Sequence, residues 1–131
     1  MPYKDPAEYT KFQKAYRGRN KDTLREGKRA WNKTEKGKTC TWRKWIKRAY
    51  GLTEADYNHM LAAQNGRCAI CRELEIEKIK DKVLRFAVDH NHVTGKVRGL
   101  LCRRCNRAIG LLRENTVYIR AAADYLEKTD G

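Results

Sequence analysis

Four cysteines in this chain fall into two Cys-x-x-Cys pairs, Cys68-Ala-Ile-Cys71 and Cys102-Arg-Arg-Cys105, the second running directly into Asn106. A pair at this spacing makes a tight turn that aims both sulfurs at one point. Two such pairs can present four thiolates to a single tetrahedral Zn²⁺. Four thiolates fill the coordination shell and leave no position for water, so a zinc held here is structural. The competing reading is four buried thiols without a metal. The fifth cysteine, Cys40, stands outside the pairs and is expected to be a free thiol. Between the pairs lies Asp89-His90-Asn91-His92. A carboxylate is a hard oxygen ligand suited to Mg²⁺ or Mn²⁺, and an imidazole beside it suits a general base. Asn106 offers an amide oxygen as a second ligand, drawn near by the zinc that holds Cys105. Taken alone, the same residues would read as a polar turn with two surface histidines. His59, with nothing near it in sequence to complete a site, reads as a surface residue.

The elements that must position these groups are short. Thr53 is an N-cap with acids in the following turn, Leu52 and Tyr57 sit where a hydrophobic staple would, and Asn65-Gly66 ends the helix that carries Tyr57, Met60 and Leu61. Residues 72–82 are charged and read as a loop or an irregular hairpin. Residues 83–88 read as a strand by their β-branched and aromatic content, and 97–101 as a second strand returning after the Thr94-Gly95 turn. Neighbouring side chains of a strand point to opposite faces, so Asp89 and His90 can act at one centre only if the chain bends there. A short helix over 102–112 places Asn106 near its start. A last helix, capped by Asn115 or Thr116, carries a face of Tyr118, Ala121, Ala122 and Tyr125. The result is a ββα unit between helices.

The charge is distributed unevenly. The net charge is +14 with a pI near 9.8, which points to a polyanionic partner. Residues 1–50 hold 16 Lys and Arg against 5 Asp and Glu, a net +11, whereas residues 51–131 hold 14 against 11. The first segment is a basic extension, with helix favoured from Pro6 to about Trp31, a loop over 33–38, and a further basic helical turn or two over 42–48. Its aromatics include Tyr3, and Tyr9, Phe12 and Tyr16 form a stripe at i, i+3 and i+7. Such an arm could lie along DNA, pack on a second subunit, or dock on its own domain. No apolar run is long enough for a membrane helix, and no hydrophobic stretch follows Met1 as a secretory signal would require. Cysteines in such a chain point to metal binding over disulfides, and to the cytoplasm.

The run Cys68-x-x-Cys71, Asp89-His90-Asn91-His92, and Thr94-Gly95-Lys96-Val97-Arg98-Gly99-Leu100-Leu101-Cys102-x-x-Cys105-Asn106 closely resembles the recombination endonuclease VII family of HNH, or His-Me finger, nucleases. The resemblance covers roughly residues 50–127. It implies an α+β fold: a zinc-stapled ββα-metal core flanked by helices (51–131), preceded by the basic, mostly helical extension (1–50). It also implies structural zinc on Cys68, Cys71, Cys102 and Cys105, a catalytic Mg²⁺ or Mn²⁺ on Asp89 and Asn106, His90 activating water, and His92 at the scissile phosphate or supporting the site.

The expected activity is then metal-dependent cleavage of DNA, leaving a 5′-phosphate and a 3′-hydroxyl, in a phage or prophage enzyme for recombination or packaging. Arg98, Arg103, Arg104 and Arg107 flank the site as candidate phosphate contacts; the bland alternative is that they only solubilise the zinc knuckle. Subunit pairing is usual in the family, so a homodimer is an open expectation. The departures are a short loop between His92 and Gly95, Ile109 where an acid is expected after the Asn, and no long C-terminal domain after Leu126. They bear on four-way junction resolution more than on cleavage itself. A non-catalytic zinc module binding nucleic acid is the alternative; it would have no need of Asp89, His90 and Asn106 together.

Overall fold

The computed structural model describes residues 5–129, so Tyr3 lies outside the described residues. They form an α+β chain with six helices and two two-stranded sheets. The chain divides into two compact units, one up to Arg48 and one from Ala49 onward.

The first unit is helical. Helix α1 (Pro6–Arg19) opens on Asp5, whose carboxylate accepts the Ala7 N–H at 2.8 Å, with Pro6 in the first turn, where its missing donor costs nothing. Asn20 interrupts the helix: its backbone N–H and its side-chain amide both return to the Tyr16 carbonyl. Helix α2 (Lys21–Lys33) follows at once. The loop expected over 33–38 is replaced by a single corner residue, because Thr34 serves as a cap. Its hydroxyl accepts the Gly37 N–H at 3.0 Å and donates to the Trp31 carbonyl at 2.7 Å. Helix α3 (Glu35–Tyr50) therefore starts immediately and absorbs the basic turns expected near Trp42. Only glycine fits at 37, since a Cβ there would lie 2.0 Å from the Trp31 carbonyl oxygen.

The second unit begins with helix α4 (Glu54–Ala63), closed at its start by a full capping box between Thr53 and Asp56. Asn65 and Gly66 both take positive φ, and the Gly66 N–H returns to the Leu61 carbonyl at 2.9 Å, ending the helix where the sequence indicates. A small hairpin of β1 (Lys78–Ile79) and β2 (Lys82–Val83) turns through Lys80 and Asp81, both at positive φ. The strand expected over 83–88 instead starts later, as β3 (Ala87–His90), and pairs antiparallel with β4 (Val97–Leu101). Helix α5 (Arg103–Leu111) packs across both strands.

Helix α6 (Thr116–Thr129) is capped by Asn115, whose side chain accepts the Val117 and Tyr118 N–H groups. Its apolar stripe is not core: Tyr118, Tyr125 and Leu126 are each at least half exposed. The core is small, centred on Cys68, Leu101 and Cys102, with Phe86, Ala69 and Ile109 packed around them. Tyr57 plugs into it from α4 and donates to the Phe86 carbonyl at 3.0 Å; burial pushes its phenol up to about 12. Gln64, just past α4, acts as an extra rung of sheet. Its amide oxygen accepts the Leu100 N–H and its amide nitrogen donates to the Leu100 carbonyl, each at 2.9 Å.

Candidate active site

The two cysteine pairs meet. Cys68 and Cys71 lie in the turn after α4, and Cys102 and Cys105 at the start of α5. All four Sγ atoms lie within 4.8 Å of one another, with Cys71 and Cys102 sulfurs 3.8 Å apart. A Zn–S length of about 2.3 Å in a tetrahedron separates neighbouring sulfurs by about 3.8 Å, the spacing of Cys71 and Cys102, so the cluster is compatible with a zinc at its centre. The backbone is already turned toward the sulfurs: the Ile70 N–H points at Cys68 Sγ and the Cys105 N–H at Cys102 Sγ. Burial raises the Cys68 thiol, but N–H groups of Cys102, Cys71 and Ile70 outweigh it and bring it down to about 7. Burial and neighbouring thiols push Cys105 up to about 12, so the four cannot all ionise without a cation among them. Cys40 lies in the other unit, a free thiol as expected.

The cluster also docks α5. Buried Glu75 accepts the N–H groups of Ile76 and Glu77 through one oxygen and the Arg103 N–H, at 2.8 Å, through the other. A carboxylate at a helix N-terminus is favoured by the helix dipole. Ala69 N–H bonds the Leu100 carbonyl at 3.1 Å, fastening the first knuckle to β4.

The bend required between Asp89 and His90 exists, and it lies in the partner strand. Asp89 pairs with Gly99, yet the next residue, His90, pairs with Val97. Arg98 is the extra residue of a β-bulge, a device that locally kinks the strand and re-aims side chains. Its guanidinium reaches Asp89 in a bidentate pair, Nε to Oδ2 at 2.7 Å and an NH2 group to Oδ1 at 2.9 Å. Asp89 is 8% exposed, so a buried charge is matched by a fixed one. The Asp89 carboxylate in turn holds the Arg98 guanidinium above its ordinary value.

From Arg98 the contacts continue. Its NH2 group also donates to Glu114 at 3.1 Å, and the other Glu114 oxygen meets His92 Nε2 at 2.9 Å. The His92 ring stacks on His90 at 4.7 Å between centroids, nearly parallel. The Tyr50 ring also lies against His90, tilted, with ring centroids 5.1 Å apart. Asp89, Arg98, Glu114, His92 and His90 thus form one continuous path. Glu114 is the residue that sequence reasoning missed. It is the first carboxylate after Asn106, and its two oxygens meet Arg98 and His92. It arrives through Arg113 and Glu114, both at positive φ just beyond α5. An open cleft of roughly 490 Å³ lies over this path, lined by Asn91, His92, Arg98, Arg113 and Glu114.

The loop before the cleft is self-supporting: Asn91 Oδ1 accepts the Val93 and Thr94 N–H groups, and Gly95, at positive φ, bonds back to the Asn91 carbonyl. Asn106 lies half-buried on α5, which packs on β3. The oxygen donors of Asp89 and Asn106 suit a hard cation in kind, and the Asp89 carboxylate already carries a positive group. Of the four candidate phosphate arginines, Arg98 is committed to Asp89 and Glu114, Arg104 to Glu73 at 2.6 Å and Arg107 to Glu77. The Arg103 guanidinium pairs with no carboxylate among the described residues. His59 is exposed on α4, away from any cluster of metal-ligating groups among the described residues. No described helix is long and apolar enough to cross a membrane.

Comparison with known proteins matches residues 43–128 to the family described as recombination endonuclease VII. The chain is 40% identical over 91 residues to the Gene 59 protein of Mycobacterium phage D29, covering 69% of this chain and 52% of that one. It is 37% identical over 89 residues to the Gene 59 protein of Mycobacterium phage L5, covering 67% and 51%. The chain spans about half the length of the curated relatives it matches. No solved structure matches it significantly.

Proposed function

Because this chain belongs to the recombination endonuclease VII family, we propose that it is a metal-dependent endonuclease that hydrolyses DNA phosphodiester bonds on the HNH, or His-Me finger, plan. On this reading residues 51–131 are the nuclease domain and residues 1–50 its basic extension. The observation that carries the proposal is the path of contacts that leaves Asp89, crosses the Arg98 bulge and returns through Glu114 and His92 to His90. It joins two adjacent strand residues that would otherwise face apart.

His90 is the general base: an imidazole nitrogen takes a proton from water, which then attacks phosphorus in line with the departing 3′ oxygen. His92, stacked on His90 and anchored by Glu114, holds the ring of the base in place. Tyr50, tilted against the same ring, limits its movement further. Asp89 and Asn106 are the residues that would hold Mg²⁺ or Mn²⁺, which when bound stabilises charge on the phosphate and the leaving oxygen. Arg103, with no carboxylate partner among the described residues, is the first phosphate contact; Arg98, Arg104 and Arg107 contact phosphate by exchanging a carboxylate for it. The four cysteines would hold a structural zinc that ties the turn after α4 to the start of α5 and has no open position for chemistry. The phage relatives support a phage setting; a role in recombination or packaging belongs to the same proposal. A homodimer belongs to the same proposal, and sedimentation at the mass of one protomer would remove it.

A second reading, a zinc-stapled nucleic-acid-binding module without turnover, is favoured by one observation: both Asp89 oxygens are already satisfied by Arg98, as in a structural ion pair. Supercoiled-plasmid cleavage separates the two. Wild type with Mg²⁺ or Mn²⁺ is expected to give open-circle or linear product. His90→Ala, folded and zinc-loaded, is expected to lose about a hundredfold or more of that rate. Full activity in His90→Ala would remove the catalytic assignment, and salt-sensitive binding without cleavage under any metal would establish the second reading.

A further inference from the structure

The family match begins at residue 43, within α3, and α2 and α3 carry a site of their own. Between α2 and α3 lies an open cleft of about 440 Å³, within the range of pockets that hold a drug-sized ligand. Trp31 and Trp45 line it, each 45% exposed, together with Lys28, Lys44 and Arg48. No carboxylate is among the described residues that line it. A second, shallower depression shares Trp45 and adds Trp42 and Lys38. The walls are fixed: Gly37 lets α3 start against the Trp31 carbonyl, and Thr34 bonds both sides of the corner. Large indole surfaces left half open beside three cations ask for a ligand that has both a flat apolar face and negative charge.

We infer that the α2–α3 cleft binds an unpaired stretch of DNA, a base stacking on Trp31 and Trp45 while neighbouring phosphates meet Lys28, Lys44 and Arg48. A duplex offers phosphates to the cations but keeps its base faces inside its own stack, where the indoles cannot reach. An unpaired strand satisfies both, because every base has an aromatic face and stacking tolerates any sequence. The inference rests on DNA being the substrate and narrows it to DNA that exposes single-stranded segments. Nothing in the cleft requires cleavage, so the two readings fail separately.

All three tryptophans of the chain, Trp31, Trp42 and Trp45, lie in this unit, so intrinsic fluorescence reports the cleft directly. The full-length, zinc-loaded protein would be titrated, without added divalent cation, with a short oligothymidylate and with a blunt duplex of equal length. Quenching by the single strand is expected, at lower concentration than any by the duplex. Three phosphate contacts would contribute a slope of about −2 to the logarithm of affinity against the logarithm of salt.

Trp45→Ala is expected to weaken single-strand binding by roughly tenfold, within the range of one lost stacked base, while changing duplex binding far less. Should Trp45→Ala melt early, Lys28→Glu with Lys44→Glu tests the same cleft through exposed side chains, with the same expected loss. Equal binding of both DNAs, or unchanged single-strand affinity in the variants, would overturn the inference. His90→Ala is expected to bind the single strand as wild type does. Cleft binding without plasmid cleavage would keep this inference and remove the nuclease.

Discussion

Replacing Arg98 by Met tests the site at its hinge. The two Asp89 oxygens accept their hydrogen bonds, at 2.7 and 2.9 Å, from Arg98. The Asp89 side chain is 10% exposed, while Arg98 is 39% exposed. Removing one member of a fully buried pair costs about 3–5 kcal/mol, because the other charge stays behind without compensation. The outer half of this pair is open to water, which lowers the cost to about 2–3 kcal/mol. For a unit of this size each kcal/mol moves the melting temperature by about 4–8 °C, so zinc-loaded Arg98→Met is expected to melt about 10–20 °C below wild type.

Because the lost interaction is a cation at Asp89, added Mg²⁺ or Mn²⁺ should restore part of that difference, and should raise the melting temperature of the variant more than that of wild type. Thermal melting followed by circular dichroism, with and without divalent cation, measures both. A variant that melts within a degree or two of wild type, or one that divalent cations leave unmoved, would refute the reasoning that Asp89 is a buried carboxylate in need of a cation. Glu114→Gln is the control within the same experiment. It touches only the outer ion pairs, to His92 and Arg98, and is expected to cost under about 1 kcal/mol.

Zinc removal or Cys102→Ser should abolish cooperative melting of the second unit. Structural zinc contributes about 10–16 kcal/mol in small zinc domains, against about 5–15 kcal/mol of total domain stability; loss of amide-exchange protection at Val88 and Leu100 would show it, and retained protection would contradict it. Gly37→Ala places a Cβ 2.0 Å from the Trp31 carbonyl oxygen, so the α2–α3 corner must open at about 1–3 kcal/mol, seen as a change in tryptophan emission. Gln64→Leu removes both bonds to Leu100; the Leu100 carbonyl keeps the Ala69 N–H but the partly buried Leu100 N–H loses its partner, for a loss of about 1–2 kcal/mol by denaturant titration. Thr53→Ala breaks the capping box and should cost about 1 kcal/mol.

What could be read from the chain was local. Cys68 with Cys71, and Cys102 with Cys105, announce themselves because the spacing inside each pair is itself the geometry of a knuckle. Thr53, Asn65-Gly66 and Asn115 mark helix ends for the same reason. The residues that complete the site come from further off. Glu114 reaches His92 and Arg98 through two non-glycine residues at positive φ, which no Gly or Asn signals in the sequence. The bulge at Arg98 exists only in the pairing of β3 with β4, so neither strand encodes it alone. Residues 83–88 have strand-forming composition, yet only Ala87 and Val88 of them join β3, because pairing with Leu101 and Leu100 decides where the ladder starts. Periodicity along α6 identifies an apolar stripe correctly but says nothing of what covers it, and Tyr118 and Tyr125 remain open. Thr34 was hidden among charged residues whose composition suggested a loop, although a hydroxyl three residues before a glycine is enough to restart a helix.

The unpaired residue in β4 also governs how a chain of this kind can vary over generations. Substitution at Arg98 changes one side chain, but loss of a single residue between Val97 and Gly99 would make the ladder regular. Faces alternate with a period of two, so everything on one side of the deletion would then exchange inside for outside. Either Leu100 and Leu101 would exchange faces or His90 would turn from His92. Insertions at the exposed β1–β2 tip, Lys80-Asp81, carry no such penalty. Length is therefore inherited strictly in the β3–β4 hairpin and loosely in the β1–β2 hairpin, and descendants of this chain would differ by gaps at the β1–β2 tip before any appeared in β4.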